Sequence, residues 1–82
     1  MEQLVYSPES LGGVIKRQRK AKSLNQKQAG EAFRLQQSTV SSIEQGAAGT
    51  RIDTLFRMLA ALDLEMVIRS KDSPALFESE NW

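Results

Sequence analysis

The sequence predicts a mainly α-helical domain of four to five helices that ends in one short β-strand. Two features of the chain support this prediction. Apolar residues recur at helical spacing in four segments, and these segments begin with residue types that start helices. From residue 64 the apolar spacing changes to a period of two, which is typical of a strand. We therefore predict a folded domain over residues 1–69 and a flexible tail over residues 70–82.

The composition limits what this chain can do. Its 82 residues are enough for one domain with a small core. It contains no Cys and no His, which excludes disulfides, ordinary zinc sites and the commonest nucleophile–base pairs. The ten acidic residues are scattered, and no glycine-rich phosphate loop is present. We therefore expect a protein that is not an enzyme, with no cofactor, no metal and no small-molecule substrate.

The chain shows no sign of a membrane or an export segment. No apolar run approaches the roughly 20 residues that a membrane span requires. The N-terminus lacks the basic stretch followed by an apolar one that marks a signal peptide. We therefore expect a cytoplasmic protein without a membrane partner.

The first predicted helix covers residues 8–21. Ser7 is a capping residue, Pro8 suits the first helical position, and Glu9 complements the positive end of the helix. The apolar stripe of this helix consists of Leu11, Val14, Ile15 and Ala21.

The second and third predicted helices are short and closely spaced. Asn25 begins the second, Gln28 lies where it completes a capping box, and the helix runs to about Phe33. The third covers residues 37–45 and ends before Gly46, a residue that favours the left-handed conformation after a helix. The residues expected to face the core are Ala29, Ala32, Phe33, Val40 and Ile43.

The fourth predicted helix covers residues 51–62. Thr50 is expected to cap it, with Asp53 completing a second capping box. Its apolar face is predicted to consist of Ile52, Leu55, Phe56, Leu59 and Leu62.

The strand predicted over residues 64–69 has no second strand in the chain to pair with. Because a lone strand leaves its backbone groups unpaired, the simplest partner is the same strand of another copy across a two-fold axis. The sequence therefore predicts a homodimer. The residues expected at its interface are Leu64, Met66, Val67 and Ile68. The alternative is an irregular segment packed on the fourth helix.

Charge is distributed unevenly along the chain. Residues 14–34 contain seven basic residues and one acidic residue, which gives +6. Residues 70–82 contain one basic residue and three acidic residues, which gives −2. A basic body favours a polyanionic partner. The alternative is an ordinary solvated helix face.

The two short helices at residues 25–33 and 37–45, joined by a tight turn, form a helix-turn-helix. The second of them leaves small polar side chains outside. An α-helix fits the major groove of double-stranded DNA, where a Gln amide can pair with adenine and Ser hydroxyls adapt to either kind of partner. The pattern therefore favours double-stranded DNA as the polyanion.

Two stretches of the chain, LNQKQAG at residues 24–30 and LQQSTVSSIEQG at residues 35–46, resemble the XRE (lambda-repressor-like) helix-turn-helix family. The resemblance covers residues 10–62. The base-reading residues expected on this basis are Gln36, Gln37, Ser38, Ser41 and Ser42. Phosphate binding is expected of Asn25, Gln26, Lys27 and Arg51. The alternatives are that Gln26 only caps its own helix and that Ser41 and Ser42 only face solvent.

The family resemblance also implies a structural ion pair of Arg19 with Glu44 beneath the motif. Two residues depart from the family pattern. Arg34 stands where the family often has Gly in the turn, which predicts a non-glycine residue with positive φ. Ala29 stands where the family usually has Leu, which predicts a smaller core contact.

The chain is also similar to the HipB-type antitoxins of two-gene toxin–antitoxin operons. The features shared are the length, the run Tyr6-Ser7-Pro8, the strand and a polar tail that ends in Trp82. This similarity implies a homodimer that binds an inverted-repeat operator, represses its own operon and neutralises a HipA-type Ser/Thr kinase toxin. Such a protein would be nucleoid-associated when bound to its operator.

The candidate toxin-binding residues are Phe77 and Trp82, because Trp is enriched in binding hot spots and flexible segments can wrap a partner. The alternative is that both residues fold back onto their own dimer. Two other functions compete with the antitoxin: a stand-alone XRE-family repressor without a toxin, and a protein-interaction module that has lost DNA binding.

Overall fold

The computed structural model describes residues 2–72 of the chain, and within them the fold consists of four α-helices. Helix α1 covers Pro8–Ala21, α2 covers Gln26–Glu31, α3 covers Gln37–Glu44 and α4 covers Ile52–Ala61. The prediction of a mainly helical domain with a helix-turn-helix is therefore correct, and the number of helices described is the lower of the two predicted.

Helix α1 begins and ends where the sequence predicts. Its start is fixed by hydrogen bonds within the first turn. The Ser7 hydroxyl accepts a hydrogen bond from the Ser10 backbone N–H at 3.0 Å, and the Ser10 hydroxyl accepts one from the Ser7 N–H at 3.1 Å. Pro8 occupies the first turn, where a missing N–H leaves no bond unmade. This capping box satisfies donors that the helix itself leaves free.

Helix α2 begins with the predicted capping box but ends two residues early. Asn25 Oδ1 accepts from the Gln28 N–H, and Gln28 Oε1 accepts from the Asn25 N–H, both at 2.8 Å. The chain turns after Glu31, which leaves Ala32 exposed and Phe33 half-buried. The prediction of a buried Ala32 is therefore wrong, and Phe33 is covered only in part.

Helix α3 ends at Glu44, one residue before the predicted end, and Gln45 is its C-cap. Gly46 follows with a φ of 87°, in the left-handed region predicted for it. A Cβ at this position would lie 2.8 Å from the Cα of Glu9, so space as well as conformation requires glycine here.

The predicted cap of α4 is wrong. Arg51, not Thr50, is the N-cap residue, and its side chain makes no capping hydrogen bond. The Thr50 hydroxyl instead donates to the Ala47 carbonyl at 3.1 Å. Thr50 therefore closes the preceding loop, and the helix begins one residue later than predicted.

The buried face of α4 is rotated relative to the prediction. Ile52 and Phe56 are 70% and 50% exposed, whereas Met58 and Leu59 are buried. Positions 55, 58, 59 and 62 form the stripe that a 3.6-residue period aligns, and Leu62 completes it at the end of the helix. The expectation that Ile52 and Phe56 face the core is therefore wrong.

The centre of the core consists of Ile15, Val40, Met58 and Leu62, whose side chains are fully buried. They come from α1, α3, α4 and the residue after α4, so the first and last helices enclose the helix-turn-helix. Each such side chain contributes about 1.5–3 kcal/mol by leaving water. The core therefore fixes the position of α3.

Residues 64–70 contain no regular secondary structure, so the strand predicted over residues 64–69 is wrong for the single chain. A strand requires a paired neighbour, and the described part of the chain has no other strand to provide one. The Leu64 N–H donates to the Leu59 carbonyl at 2.9 Å, which closes the end of α4. The irregular segment that the sequence left as an alternative is the observed one.

Candidate nucleic-acid interface

A tight turn at residues 32–36 sets the angle between α2 and α3. The Leu35 N–H donates to the Gly30 carbonyl at 2.9 Å. Arg34 has a φ of 59°, which confirms the positive φ predicted for a residue at this place in the turn. A Cβ at Gly30 would lie 2.4 Å from the Leu35 carbonyl oxygen, so only glycine permits this approach.

Helix α3 has one face in the core and one polar face outside. Val40, Ile43 and Glu44 are buried. On the opposite side lie four of the predicted base-reading residues, Gln37, Ser38, Ser41 and Ser42. Ser41 is partly exposed and the other three are exposed. The spacings of three and four residues among these side chains bring them onto one surface of the helix.

The fifth predicted base reader, Gln36, is the N-cap of α3. It has an extended backbone conformation, its side chain makes no capping bond, and it is exposed. The structure therefore places it at the N-terminal edge of the same polar surface.

The ion pair implied beneath the motif is present and buried. Arg19 donates to Glu44 twice, from Nε to Oε2 at 2.5 Å and from Nη2 to Oε1 at 2.9 Å. Arg19 Nη1 also donates to the Leu24 carbonyl at 2.8 Å. Arg19 therefore joins α1, α3 and the residues that lead into α2.

The surroundings keep both groups of this pair charged. Burial alone raises the pKa of Glu44, but hydrogen bonds from Arg19 and Gln26 outweigh it, so the pKa lies below the ordinary value. The hydrogen bond to Glu44 raises the pKa of Arg19 above its ordinary value. The contact is thus ionic near neutral pH.

Of the predicted phosphate-binding residues, Gln26 is the one bonded to the buried ion pair. Its Nε2 donates to Glu44 Oε1 at 3.3 Å, which places its amide beside α3 and on top of the ion pair. The Oδ1 of Asn25 is used by the capping box, so its amide nitrogen is the group left for a ligand. Lys27 is exposed.

Arg51, the fourth predicted phosphate-binding residue, is paired with an acidic neighbour. Its Nε donates to Asp53 Oδ1 at 3.0 Å, and its Nη2 donates to Oδ2 at 3.3 Å. Hydrogen bonding between the two side chains raises the pKa of Arg51 and lowers that of Asp53. The side chains are 80% and 57% exposed, so water screens the pair and it opens readily.

A family model described as Helix-turn-helix matches residues 15–68 of the chain. The chain belongs to the helix-turn-helix family. The match begins in α1 and ends after α4, so it includes every element that positions the polar surface of α3.

Two relatives of this helix-turn-helix protein carry the name Antitoxin HipB. The chain is 28% identical over 81 residues to the protein of Escherichia coli (strain K12), which covers 96% of this chain and 92% of that one. It is 29% identical over 66 residues to the protein of Escherichia coli O6:H1, which covers 80% of this chain and 70% of that one. The resemblance to XRE and HipB-type proteins is thereby confirmed.

Solved structures give the same result for the helix-turn-helix fold. A chain of a HipA-HipB-O2-O3 complex has a TM-score of 0.81 at 27% identity, covering 87% of this chain and 100% of that one. A chain of a HipB-O4 20mer complex has a TM-score of 0.80 at 27% identity, with the same coverage. The family is one of binding proteins, and the chain is not an enzyme.

One residue on the polar surface of this helix-turn-helix domain is missing from the predicted base readers. Gln45 is exposed, and its Nε2 donates to the Ser41 Oγ at 3.1 Å. The signal that identifies it is spacing, since it follows Gln37 by two helical repeats of four and Ser41 by one. Its position as the last residue of the predicted helix concealed this relationship.

Some predicted site residues of the helix-turn-helix protein lie elsewhere. Phe77 and Trp82 are outside the described residues. The predicted dimerisation residues line a groove together with residues 2–6. These dimerisation residues are Leu64, Met66, Val67 and Ile68. Within residues 2–72, no three acidic side chains lie close enough to hold a metal ion, and no helix is long and apolar enough to cross a membrane.

Proposed function

We propose that the chain is a homodimeric antitoxin that binds operator DNA, represses its own operon and binds a HipA-type Ser/Thr kinase toxin. The observation that carries the DNA-binding function is the exposed polar surface of α3, which the tight turn and the buried ion pair hold in place. Similarity over 92% of the length of Antitoxin HipB, and a solved complex of HipA with HipB, support the toxin-binding function.

In this proposal α3 enters the major groove and reads bases with its N-terminal half. The Gln37 amide offers a donor and an acceptor in one plane, which matches the edge of adenine. Ser38 and, one turn later, Ser42 supply short hydroxyls to the same groove. Gln36 and Ser41 flank them and contact bases or the sugar–phosphate backbone.

The residues at the start of α2 would hold the DNA backbone. Gln26 donates one amide hydrogen to Glu44, and its second amide hydrogen is available for a phosphate oxygen. The Asn25 amide nitrogen is available in the same way. Lys27 and Arg51 add positive charge, and each phosphate that they neutralise increases the salt dependence of binding.

The proposed dimer would use the apolar residues that follow α4. Met66, Val67 and Ile68 are 46%, 53% and 87% exposed, and Leu64 is partly buried beside them. Contiguous apolar side chains on the surface of a small domain mark an interaction site. Two copies would present two α3 helices to successive major grooves, about 34 Å apart, as an inverted-repeat operator requires.

Phe77 and Trp82 are the proposed toxin anchors. Aromatic side chains bury a large area at little entropic cost, and the tail adds negative charge to that contact. The proposed place of action is the cytoplasm, and the nucleoid when the protein is bound to its operator.

Fluorescence anisotropy tests the DNA part of the proposal. The probe is a duplex from upstream of the protein's own operon, and a scrambled duplex of equal length measures non-specific binding. Gln37→Ala and Ser38→Ala should each weaken specific binding by about 5- to 100-fold, because a base contact contributes about 1–3 kcal/mol. Ala60→Ser, at an exposed position of α4 that does not line the groove of the dimerisation residues, is the control and should bind normally. Unchanged affinity in both α3 variants would contradict base reading by α3.

Co-purification with the product of the adjacent gene tests the toxin part. The full chain is compared with a chain that ends at Arg69 and with Trp82→Ala and Phe77→Ala. The proposal expects a stable complex that weakens in all three variants. A complex that the variants leave intact would place the interface on the helices. Specific DNA binding without any complex would identify a stand-alone repressor.

A further inference from the structure

Gln45, the last residue of the polar surface, makes two hydrogen bonds to Ser41, one turn earlier in α3. The Gln45 backbone N–H donates to the Ser41 carbonyl at 3.0 Å, which is the ordinary helical bond. The Gln45 side chain adds a second bond, from Nε2 to the Ser41 Oγ at 3.1 Å. Two side chains on the exposed face of α3 are thereby linked to each other.

This bond affects what the Ser41 hydroxyl can present to a ligand. A free serine hydroxyl rotates, and it donates or accepts according to its neighbour. When Oγ accepts a hydrogen bond from Gln45, the hydroxyl hydrogen of Ser41 is not consumed by Gln45. This hydrogen stays available to donate to a ligand bound at the exposed polar surface of α3.

We propose that Gln45 is a positioning residue for base recognition, which makes Ser41 a hydrogen-bond donor toward the DNA. The inference rests on the proposed DNA-binding function and names a determinant of its specificity. A donor in the major groove selects bases that present an acceptor there, namely guanine, the N7 of adenine and the O4 of thymine. Cytosine presents a donor at N4, so Ser41 in this state disfavours cytosine.

The alternative roles of Gln45 make different predictions. If Gln45 only contacted a phosphate, its loss would weaken binding to every sequence by the same factor. If it only supported the end of α3, its loss would lower the unfolding midpoint and affect all base positions. A positioning role changes the base preference at one position of each half-site and leaves the others unchanged.

The test is selection of bound duplexes from a library randomised across the operator half-site, performed with the full chain. In the wild type, cytosine should be disfavoured at one base position. Gln45→Ala should reduce that discrimination by about 3- to 10-fold, as expected for one hydrogen bond. Ser41→Ala should abolish the discrimination, and Gln45→Ala should add nothing in the Ser41→Ala background. Ala60→Ser, at an exposed position of α4 that does not line the groove of the dimerisation residues, is the control and should select the wild-type sequences.

Gln45→Glu provides the converse variant. A carboxylate only accepts, so it consumes the Ser41 hydroxyl hydrogen and turns an acceptor toward the DNA. The preference at that position should move toward cytosine. Additive effects of the two alanine substitutions, or an unchanged preference in Gln45→Glu, would overturn the inference. A wild-type chain that selects no sequence at all would instead refute the proposed function.

Discussion

Arg19 and Glu44 connect α1 to α3 through a buried ion pair with two hydrogen bonds, at the base of the helix-turn-helix. The same arginine binds the Leu24 carbonyl, and the same carboxylate accepts from Gln26. This one pair of side chains therefore joins α3 to α1 and orients Gln26, which is a proposed phosphate-binding residue. In the proposed function, stability and DNA binding would therefore depend on the same contact.

Loss of one partner of this pair should destabilise the domain strongly. Arg19→Met leaves the Glu44 carboxylate buried without its counter-ion, which costs about 3–5 kcal/mol in urea unfolding. The double variant Arg19→Met, Glu44→Leu should recover most of this loss, because it buries no charge. Asp53→Asn breaks an exposed pair of the same type and should have little effect. Equal effects of Arg19→Met and Asp53→Asn would show that burial of the pair does not matter.

The ion pair should also make the domain sensitive to acid. The pKa of Glu44 in the folded chain lies below its unfolded value of about 4.3, so the stability it contributes is complete above that pH. This stability is lost as the pH falls through the lower, folded pKa. Urea midpoints measured from pH 7 to pH 2 should fall more steeply in the wild type than in Glu44→Gln, which cannot titrate. Parallel profiles would argue against this role of Glu44.

Two adjacent glycines of α1 should respond in opposite ways to alanine. A Cβ at Gly12 would lie 2.5 Å from the Ile43 carbonyl oxygen, so Gly12→Ala must push α1 away from α3 at a cost of about 1–3 kcal/mol. At Gly13 the nearest atom is a flexible end of Arg17 at 3.9 Å. Gly13→Ala should therefore stabilise by about 0.5–1 kcal/mol, through helix propensity alone. Thermal unfolding of the two variants checks the difference in sign.

Features of the fold that depend on neighbours in sequence could be predicted. The Asn25–Gln28 capping box, the start of α1 and the left-handed Gly46 each involve few residues, and all are present. The polar surface of α3 followed from helical spacing. Its last member, Gln45, escaped because it lies at the helix end, where the periodic pattern stops.

Features that depend on docking could not be predicted from local patterns. Which side of α4 meets the core depends on where the other helices lie, so Met58 was missed and Phe56 was wrongly placed inside. The partner of Arg19 lies 25 residues away and was implied only by the family resemblance. An alternating pattern at residues 64–69 does not make a strand, because a strand also needs a paired neighbour.

The segment after α4 provides a test of the proposed dimer. Ile68 is 87% exposed, so Ile68→Asp should leave the folded monomer intact while it places a charge in the proposed interface. Sedimentation equilibrium should show a dimer for the wild type and a monomer for this variant. Ala48→Asp, at an exposed position of the loop between α3 and α4 and outside the groove, is the control and should remain a dimer. A dimeric Ile68→Asp variant would move the interface to another surface.

Arg34 should be a position where glycine improves the fold. Its φ of 59° is in the left-handed region, where the clash of a Cβ with the backbone costs a non-glycine residue about 1–2 kcal/mol. Glycine removes this cost but adds freedom to the unfolded chain, so Arg34→Gly should stabilise by about 0.5–1 kcal/mol. Arg34→Ala removes the same charge and keeps the Cβ, so the difference between the two variants isolates the backbone effect. Asp63, with a φ of 57°, should gain less from glycine because Asp tolerates this conformation better. Urea unfolding that ranks Arg34→Ala above Arg34→Gly would mean that the turn is not strained at this residue.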